Sequence, residues 1–278
     1  PANIGGNLTL QFDNAGITLP GVIVGGNVQV IAGGTANVSG NVSSTGTAAL
    51  TTTAGNIALG ADFASTGAAA TLTSAGNITQ TAGTVSGADV TLDSATGVGG
   101  GTGSRVATVA GNLAARSITS GGVFVSEADA VTLKTLSAVV NGAAGGGAYD
   151  VTAGGTMTVA TAVNDGAATG TTTLATTAGG NIALGAGVGN TNAATTLTSA
   201  GNITQTAGAV SGSDVILDSI TGVGGGTGAR IATAAANLAA RSTTSGGVFV
   251  NETDVVTLKT LSGVANAAAG GGAYDLTA

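Results

Sequence analysis

The chain has no cysteine and no histidine, and aromatic residues make up 2% of its 278 positions. Without these side chains there is no disulfide framework, no zinc constellation and no thiol or imidazole chemistry. The lack of cysteine suits an extracellular protein as well as a cytosolic one. Charge is scarce too: six Lys and Arg stand against 13 Asp and Glu, a net charge of −7. Each long repeat described below contributes six acids and three bases to that total, and Asp13 the rest. So few cations leave no footprint for nucleic acid or anionic lipid, and neither partner is expected. No apolar run reaches about 18 residues, which excludes a membrane-spanning helix. The chain opens Pro1-Ala2-Asn3, without an initiator Met or a signal peptide, so processing or excerpting is expected to have removed one.

Glycine, by contrast, supplies 51 residues, and alanine and threonine fill most of the rest. A wide globular core needs more Leu, Phe and Trp than this to offset chain entropy. Disorder fails as well, because 43% of the residues are hydrophobic and mean hydropathy is +0.46. Small and β-branched residues with frequent glycine suit a narrow core enclosed by short strands and tight turns.

The chain repeats itself. TLTSAGNITQTAG at residues 71–83 recurs unchanged at 196–208, a shift of 125 residues. The same shift carries GVGGGTG (97–103), VTLKTLS (131–137) and AAGGGAYD (143–150) onto their second copies. We read one continuous domain over residues 1–278, duplicated as blocks 29–153 and 154–278, with 1–28 as the tail of a preceding block. Inside each block a shorter motif returns: GNIAL at Gly55 and GNITQ at Gly76 lie 21 residues apart, as do their copies at Gly180 and Gly201. Apolar residues alternate after each Gly-Asn, a strand signal after a turn signal. Phe12, Ile17, Val22, Val24, Leu72 and Ile78 fall at inward positions. Gly and Thr are poor helix formers and the apolar spacing is two, so no helix is expected. The predicted fold is all-β, a parallel β-solenoid of roughly 13 coils of about 20–21 residues and on the order of 60 Å long. Most differences between the copies, such as Thr91 against Ile216, fall at alternate positions read as outward.

Candidate chemistry is sparse. The strand-opening asparagines Asn7, Asn27, Asn56, Asn77, Asn112, Asn181 and Asn202 are read as structural: they tolerate left-handed backbone and can ladder from coil to coil. GVGGGTG lacks the Gly-Lys-Ser/Thr of a phosphate loop and reads as a turn. The pairs Asp89 with Asp93 and Glu127 with Asp129, repeated as Asp214 with Asp218 and Glu252 with Asp254, supply too few oxygens for a hard cation. Catalysis by paired carboxylates would need a cleft with aromatics or bases beside them, and these are scattered, so neither an enzyme nor a cofactor is expected. Arg105, Arg116, Lys134 and their copies Arg230, Arg241 and Lys259 are read as outward, either pairing with acids on adjacent coils or blocking edge pairing. Phe124 and Phe249 stand between valines, and Tyr149 and Tyr274 are the only tyrosines. These four are candidates for contact with a neighbouring chain, the alternative being burial.

With GNITQTAG, SGADVTLDS and the GGAYDLTA block, the chain resembles the repeat regions of filamentous-haemagglutinin-like bacterial surface proteins, and the likeness covers essentially its whole length. The resemblance implies a right-handed parallel β-helix, two-partner export, and a place in an extracellular adhesin, surface filament or biofilm. It transfers no functional residue. The expected partners are copies of the chain end to end or further repeats of a longer chain, and cell-surface polysaccharide. No polar segment caps either end of the sequence, so the array is expected to be a window of a longer one or a subunit that stacks. An ice- or polysaccharide-binding solenoid with Thr rows is the alternative, and it requires a flat face and constant coil length.

Overall fold

A computed structural model of the chain describes residues 1–164 and 170–278. Among the described residues there is no helix, and the strands pair in parallel as a β-solenoid of about 12 turns in all. The chain divides into two compact units, Pro1–Ala128 with Thr135–Gly147, and Asp129–Lys134 with Ala148–Ala278.

In the first unit the strands stack in three columns. One runs Ala2 on Val22, Val42, Phe63, Val85 and Thr108. The second runs Leu10 on Val30, Leu50, Leu72, Leu92 and Ala115. The third runs Ile17 on Ala36, Ile57, Ile78, Val98 and Val123. Most partners are aliphatic like the residue beneath them because one short period generates them, with Phe63 and Thr108 as departures. Side chains of a strand alternate between faces, so like residues then stack inside. Val30, Leu50, Leu72, Leu92, Ile57 and Ile78 are each at most 1% exposed. Phe12 keeps this inward register opposite buried Ala32, yet remains 37% exposed.

The second unit uses the same scheme. Val131 is followed by Met157, Ile182, Ile203, Val223 and Val248, and Leu174 by Leu197, Leu217 and Ala240.

The parallel β-solenoid is as expected, and about 12 turns agree with the roughly 13 coils read from the sequence, but the step between turns is not uniform. It is 20 residues where Ala2 meets Val22, 23 where Val85 meets Thr108, and 26 where Val131 meets Met157. Longer steps give fewer turns. Part of the added length leaves the wall as hairpins closed by antiparallel bridges, Gly101 to Ser104 and Leu136 to Val139 in the first unit, Gly226 to Ala229 and Leu261 to Val264 in the second.

The Leu136–Val139 hairpin folds back as a strap over the outer face, where Leu136 and Val139 pack on Ala114. Its copy packs Val264 and Leu261 on Ile216 and Ala239. The outward position 91/216 is therefore buried, with Thr91 at 3% and Ile216 at 4% exposure. The reading of that position as outward holds for the direction of the side chain and fails for solvent, because the strap supplies a second, external apolar layer.

Each strap turns on two left-handed residues, Ser137 (φ 47°) with Ala138 (φ 66°) and Ser262 (φ 48°) with Gly263 (φ 80°). This is the geometry of a two-residue hairpin, which favours glycine at the second position. The left-handed region costs a residue with a Cβ about 1–2 kcal/mol. Ala138→Gly is accordingly expected to stabilise the first unit by about 1 kcal/mol, and Gly263→Ala to destabilise the second by a similar amount. Since a Cβ at Gly263 would meet nothing within 4 Å, that second change is a pure backbone effect. Denaturant midpoints of the two variants moving in the same direction would contradict this.

Candidate functional site

The Gly-Asn corners repeat most regularly, and their chemistry is directed from turn to turn. Asn27 donates its backbone N–H to Oδ1 of Asn7 at 2.8 Å, and Thr47 donates to Oδ1 of Asn27 at 2.9 Å. Asn77 donates to Asn56 and Asn202 to Asn181, each at 2.8 Å, and the hydroxyls of Thr96 and Thr221 close the ladders on Asn77 and Asn202. The expected ladder therefore exists at Asn56, Asn77, Asn181 and Asn202, but it joins a side-chain carbonyl to a backbone N–H instead of amide to amide. The left-handed backbone also falls elsewhere than expected, on Gly55 (φ 86°) just before Asn56. Glycine precedes the ladder for a steric reason: a Cβ on Gly76 would strike Oδ1 of Asn56, and one on Gly201 would strike Oδ1 of Asn181. Gly76→Ala should cost about 1–3 kcal/mol, the usual range for forcing atoms into a packed site. In an Asn56→Ala background the cost should shrink, and a double-mutant cycle with no coupling would refute the collision as its cause.

Asn112 departs from this pattern. Gly111-Asn112 lies inside the 12-residue strand Val106–Ser117, and Asn112 Nδ2 donates to Asp89 Oδ1 at 2.7 Å. Asn237 repeats the bond to Asp214 at 2.7 Å. The neighbouring acid is occupied too, for Arg116 forks onto both oxygens of Asp93 at 2.7 and 2.9 Å, and Arg241 does the same to Asp218. The hydrogen bond to the carboxylate holds each guanidinium above its ordinary pKa. Arg230 pairs with Asp275 at 2.6 Å, and Arg105 donates to Val125 O at 3.1 Å. The expectation that bases pair with acids one turn away is thus met at Arg116 and Arg241.

The second acid pair comes apart. Glu252 points inward, 3% exposed, and takes bonds from Thr233 Oγ1 (2.7 Å), Ala235 N–H (3.0 Å) and Thr253 N–H (3.0 Å). Asp254 is exposed. Glu127 repeats the buried arrangement with Thr108, Ala110 and Ala128. Among the described residues no three Asp or Glu side chains gather as a metal centre would require.

The four aromatic candidates divide. Tyr149 is fully buried, so it presents no ring to a neighbouring chain; it stands in an inward row on Thr172. Tyr274 is half-buried and donates its hydroxyl to Asn266 Oδ1 at 2.6 Å. Phe124 and Phe249 point outward between buried valines and are half-covered. Glycine lets them lie close, since a Cβ on Gly99 would sit 3.1 Å from that of Phe124 and one on Gly247 would run into the ring of Phe249. Burial raises the pKa of both tyrosines, that of Tyr274 from 10.0 to about 12 and that of Tyr149 further. A phenol whose pKa is raised on folding lends stability that is whole below pH 10 and is lost as pH climbs through its folded value. Absorbance at 295 nm should therefore show tyrosinate near pH 10 only in denaturant, and in the native chain only at higher pH, together with loss of structure. Native titration near pH 10 would overturn the burial of both rings.

Sequence reasoning missed the residues that replace backbone. Asn141, 2% exposed, accepts Ala115 N–H at 2.9 Å and donates to Leu113 O at 3.3 Å. A buried hydroxyl row was missed as well: Ser94 Oγ lies 2.6 Å from Gly76 O and accepts Gly97 N–H at 2.9 Å, and Ser219 repeats this. The signal available was the small polar residue that precedes each turn.

The second unit carries a groove of about 500 Å³ across four turns, lined by Thr177, Thr198, Asp218, Ile220, Arg241 and Thr243. Its acid and base are spent on each other, which leaves hydroxyls and methyls as its surface. No family model, no curated protein and no solved structure matches the chain.

Proposed function

We propose that this chain is a structural shaft of an extracellular bacterial adhesin or surface filament, supplying length and stiffness and performing no catalysis. The observation that supports this reading is where the reactive side chains go. Asp93, Asp218 and Glu252 spend their oxygens on neighbouring turns, as the ladder asparagines do. Side chains so used resist shear between turns and leave little chemistry at the surface. Contacts with further solenoid turns, with copies of the chain or with cell-surface polysaccharide fall to the outward residues that vary. The ice-binding alternative draws no support from turns whose steps run from 20 to 26 residues. A polysaccharide-binding role would use the hydroxyl-lined groove of the second unit.

Beads coated with the chain test the proposal. They should cohere or attach to bacterial surface polysaccharide, and single chains should resist pulling. Cleavage of any polysaccharide in a substrate panel, or thermal hysteresis in ice, would replace the shaft with the corresponding activity.

A further inference from the structure

Asn141 is followed by Gly142, the one Asn-Gly pair in the sequence, and its counterpart in the second block is Asn266 followed by Ala267. Asparagine loses its side-chain amide most readily ahead of glycine, because no Cβ hinders attack by the next backbone nitrogen and glycine reaches the backbone conformations that ring closure needs. The duplication thus supplies two asparagines with matching hydrogen bonds and different reactivity. Asn141 bonds to Ala115 N–H and Leu113 O, and Asn266 to Ala240 N–H and Leu238 O.

In the folded chain the reaction at Asn141 is closed. The nitrogen of Gly142 has to reach Cγ of Asn141, which requires the side chain to turn out of the position where both ends of its amide are held. Gly142 is itself fixed, opposite Arg116 in the short strand Gly142–Ala143. Water, which carries the proton and opens the ring, is kept away, since Asn141 is 2% exposed. None of these restraints survives unfolding.

We propose that Asn141 is a deamidation site uncovered by unfolding of the first unit, and that its conversion makes that unfolding irreversible. The Gly142 nitrogen gives up its proton and bonds to Asn141 Cγ, the bond from Cγ to Nδ2 breaks, and Nδ2 takes up a proton and departs as ammonia. The product is a five-membered succinimide. Water then opens the ring at one of its two carbonyls: attack at Cγ gives aspartate, and attack at the main-chain carbonyl gives isoaspartate. Neither product fits the folded site. Aspartate turns an oxygen towards Leu113 O, where the amide had donated, and isoaspartate lengthens the backbone by one carbon, which moves Gly142 and Ala143 off Arg116 and Ser117. The second unit is spared, because the Ala267 methyl hinders the same closure at Asn266.

Peptide mapping by mass spectrometry tests this on the 278-residue chain held at mildly alkaline pH, once in buffer and once in guanidinium chloride. In denaturant Asn141 should convert, with isoaspartate as the main product, and Asn266 should convert many-fold more slowly. In buffer the conversion of Asn141 should be at least about a hundredfold slower than in denaturant, because it awaits opening of the first unit. Once denaturant is removed, converted chains should regain protection from hydrogen exchange at Ala240 and not at Ala115, and freshly expressed Asn141→Asp should show the same pattern. Ala267→Gly should carry the reactivity into the second unit. Equal rates in buffer and denaturant, or equal rates at Asn141 and Asn266, would overturn the site. Protection at Ala115 in converted chains or in Asn141→Asp would overturn its consequence. The shaft reading does not depend on either result.

Discussion

Glu252→Ala is expected to destabilise the second unit by about 3 kcal/mol, while Glu252→Gln changes its stability by less than about 1 kcal/mol. Glu252 sits at the point where its strand stops covering the long strand Ile231–Ser242: Thr233 still has Glu252 as its register partner. Ala235, further along, receives the carboxylate in place of a backbone acceptor. Alanine would strand the N–H of Ala235 and the hydroxyl of Thr233 in a dry interior, at roughly 1–3 kcal/mol for each buried donor. Removing the charge offsets part of that loss, since a buried carboxylate carries a desolvation penalty. Glutamine keeps an oxygen for the backbone donors, and the Thr233 hydroxyl can turn to accept from the new amide. Equilibrium unfolding in urea separates the cases. If Gln proved as damaging as Ala, the negative charge itself would be the requirement and the backbone-substitute account would fail.

The inward rows could be read from the sequence because they depend on two short-range regularities. Alternation assigns Leu72 and Ile78 to one side of their strands, and the near-constant spacing of Gly-Asn places like residues over like. Both are fully buried in the structure. Turn length was less legible, since extra residues leave the wall wherever a side chain can take over a backbone bond. Ala115 finds its acceptor on Asn141, 26 residues later, and Ala107 finds one on Gln80, 27 residues earlier. No local pattern marks such pairs. The strap was hidden for a related reason: VTLKTLS continues the alternation of a strand, and only the left-handed pair at Ser137-Ala138 turns it back. Asn112 shares the Gly-Asn sequence of the corners while lying within an unbroken strand, because Asp89 one turn away gives its amide a partner on the strand face.

Among the candidate residues, Asn56, Asn77, Asn181 and Asn202 were found from composition and spacing because the ladder requires the same residue at the same corner in successive turns. Tyr149 and Tyr274 share a motif and differ in burial, so their difference lies in what covers them. Single-chain sequence patterns carry the first kind of information and lack the second.

Asn141→Ala is the other substitution from which a large loss is expected, about 2–5 kcal/mol for the first unit. The strap interrupts strand pairing between Leu113 and Arg116, and the Asn141 side chain fills the gap: its Oδ1 accepts from Ala115 and its Nδ2 donates to Leu113. Alanine removes both partners and leaves an N–H and a C=O buried beneath Leu136 and Val139, where water cannot replace them. Aspartate should be no remedy, because it keeps the acceptor for Ala115 and aims a second oxygen at the Leu113 carbonyl. The second copy provides the comparison. Asn266 makes the same bonds, to Ala240 N–H at 2.9 Å and Leu238 O at 3.2 Å, but it is only half-buried. Leu238 O also accepts the Lys259 N–H at 3.1 Å, so Asn266→Ala would orphan only the Ala240 N–H, which water reaches, and that variant should lose less than half as much. Hydrogen exchange at the Ala115 and Ala240 amides locates the effect: Asn141→Ala should remove protection at Ala115 and spare Ala240, and Asn266→Ala should do the reverse. Equal losses from the two substitutions, or exchange that rises throughout both units, would mean that the asparagines act through general packing and not as substitutes for a missing strand.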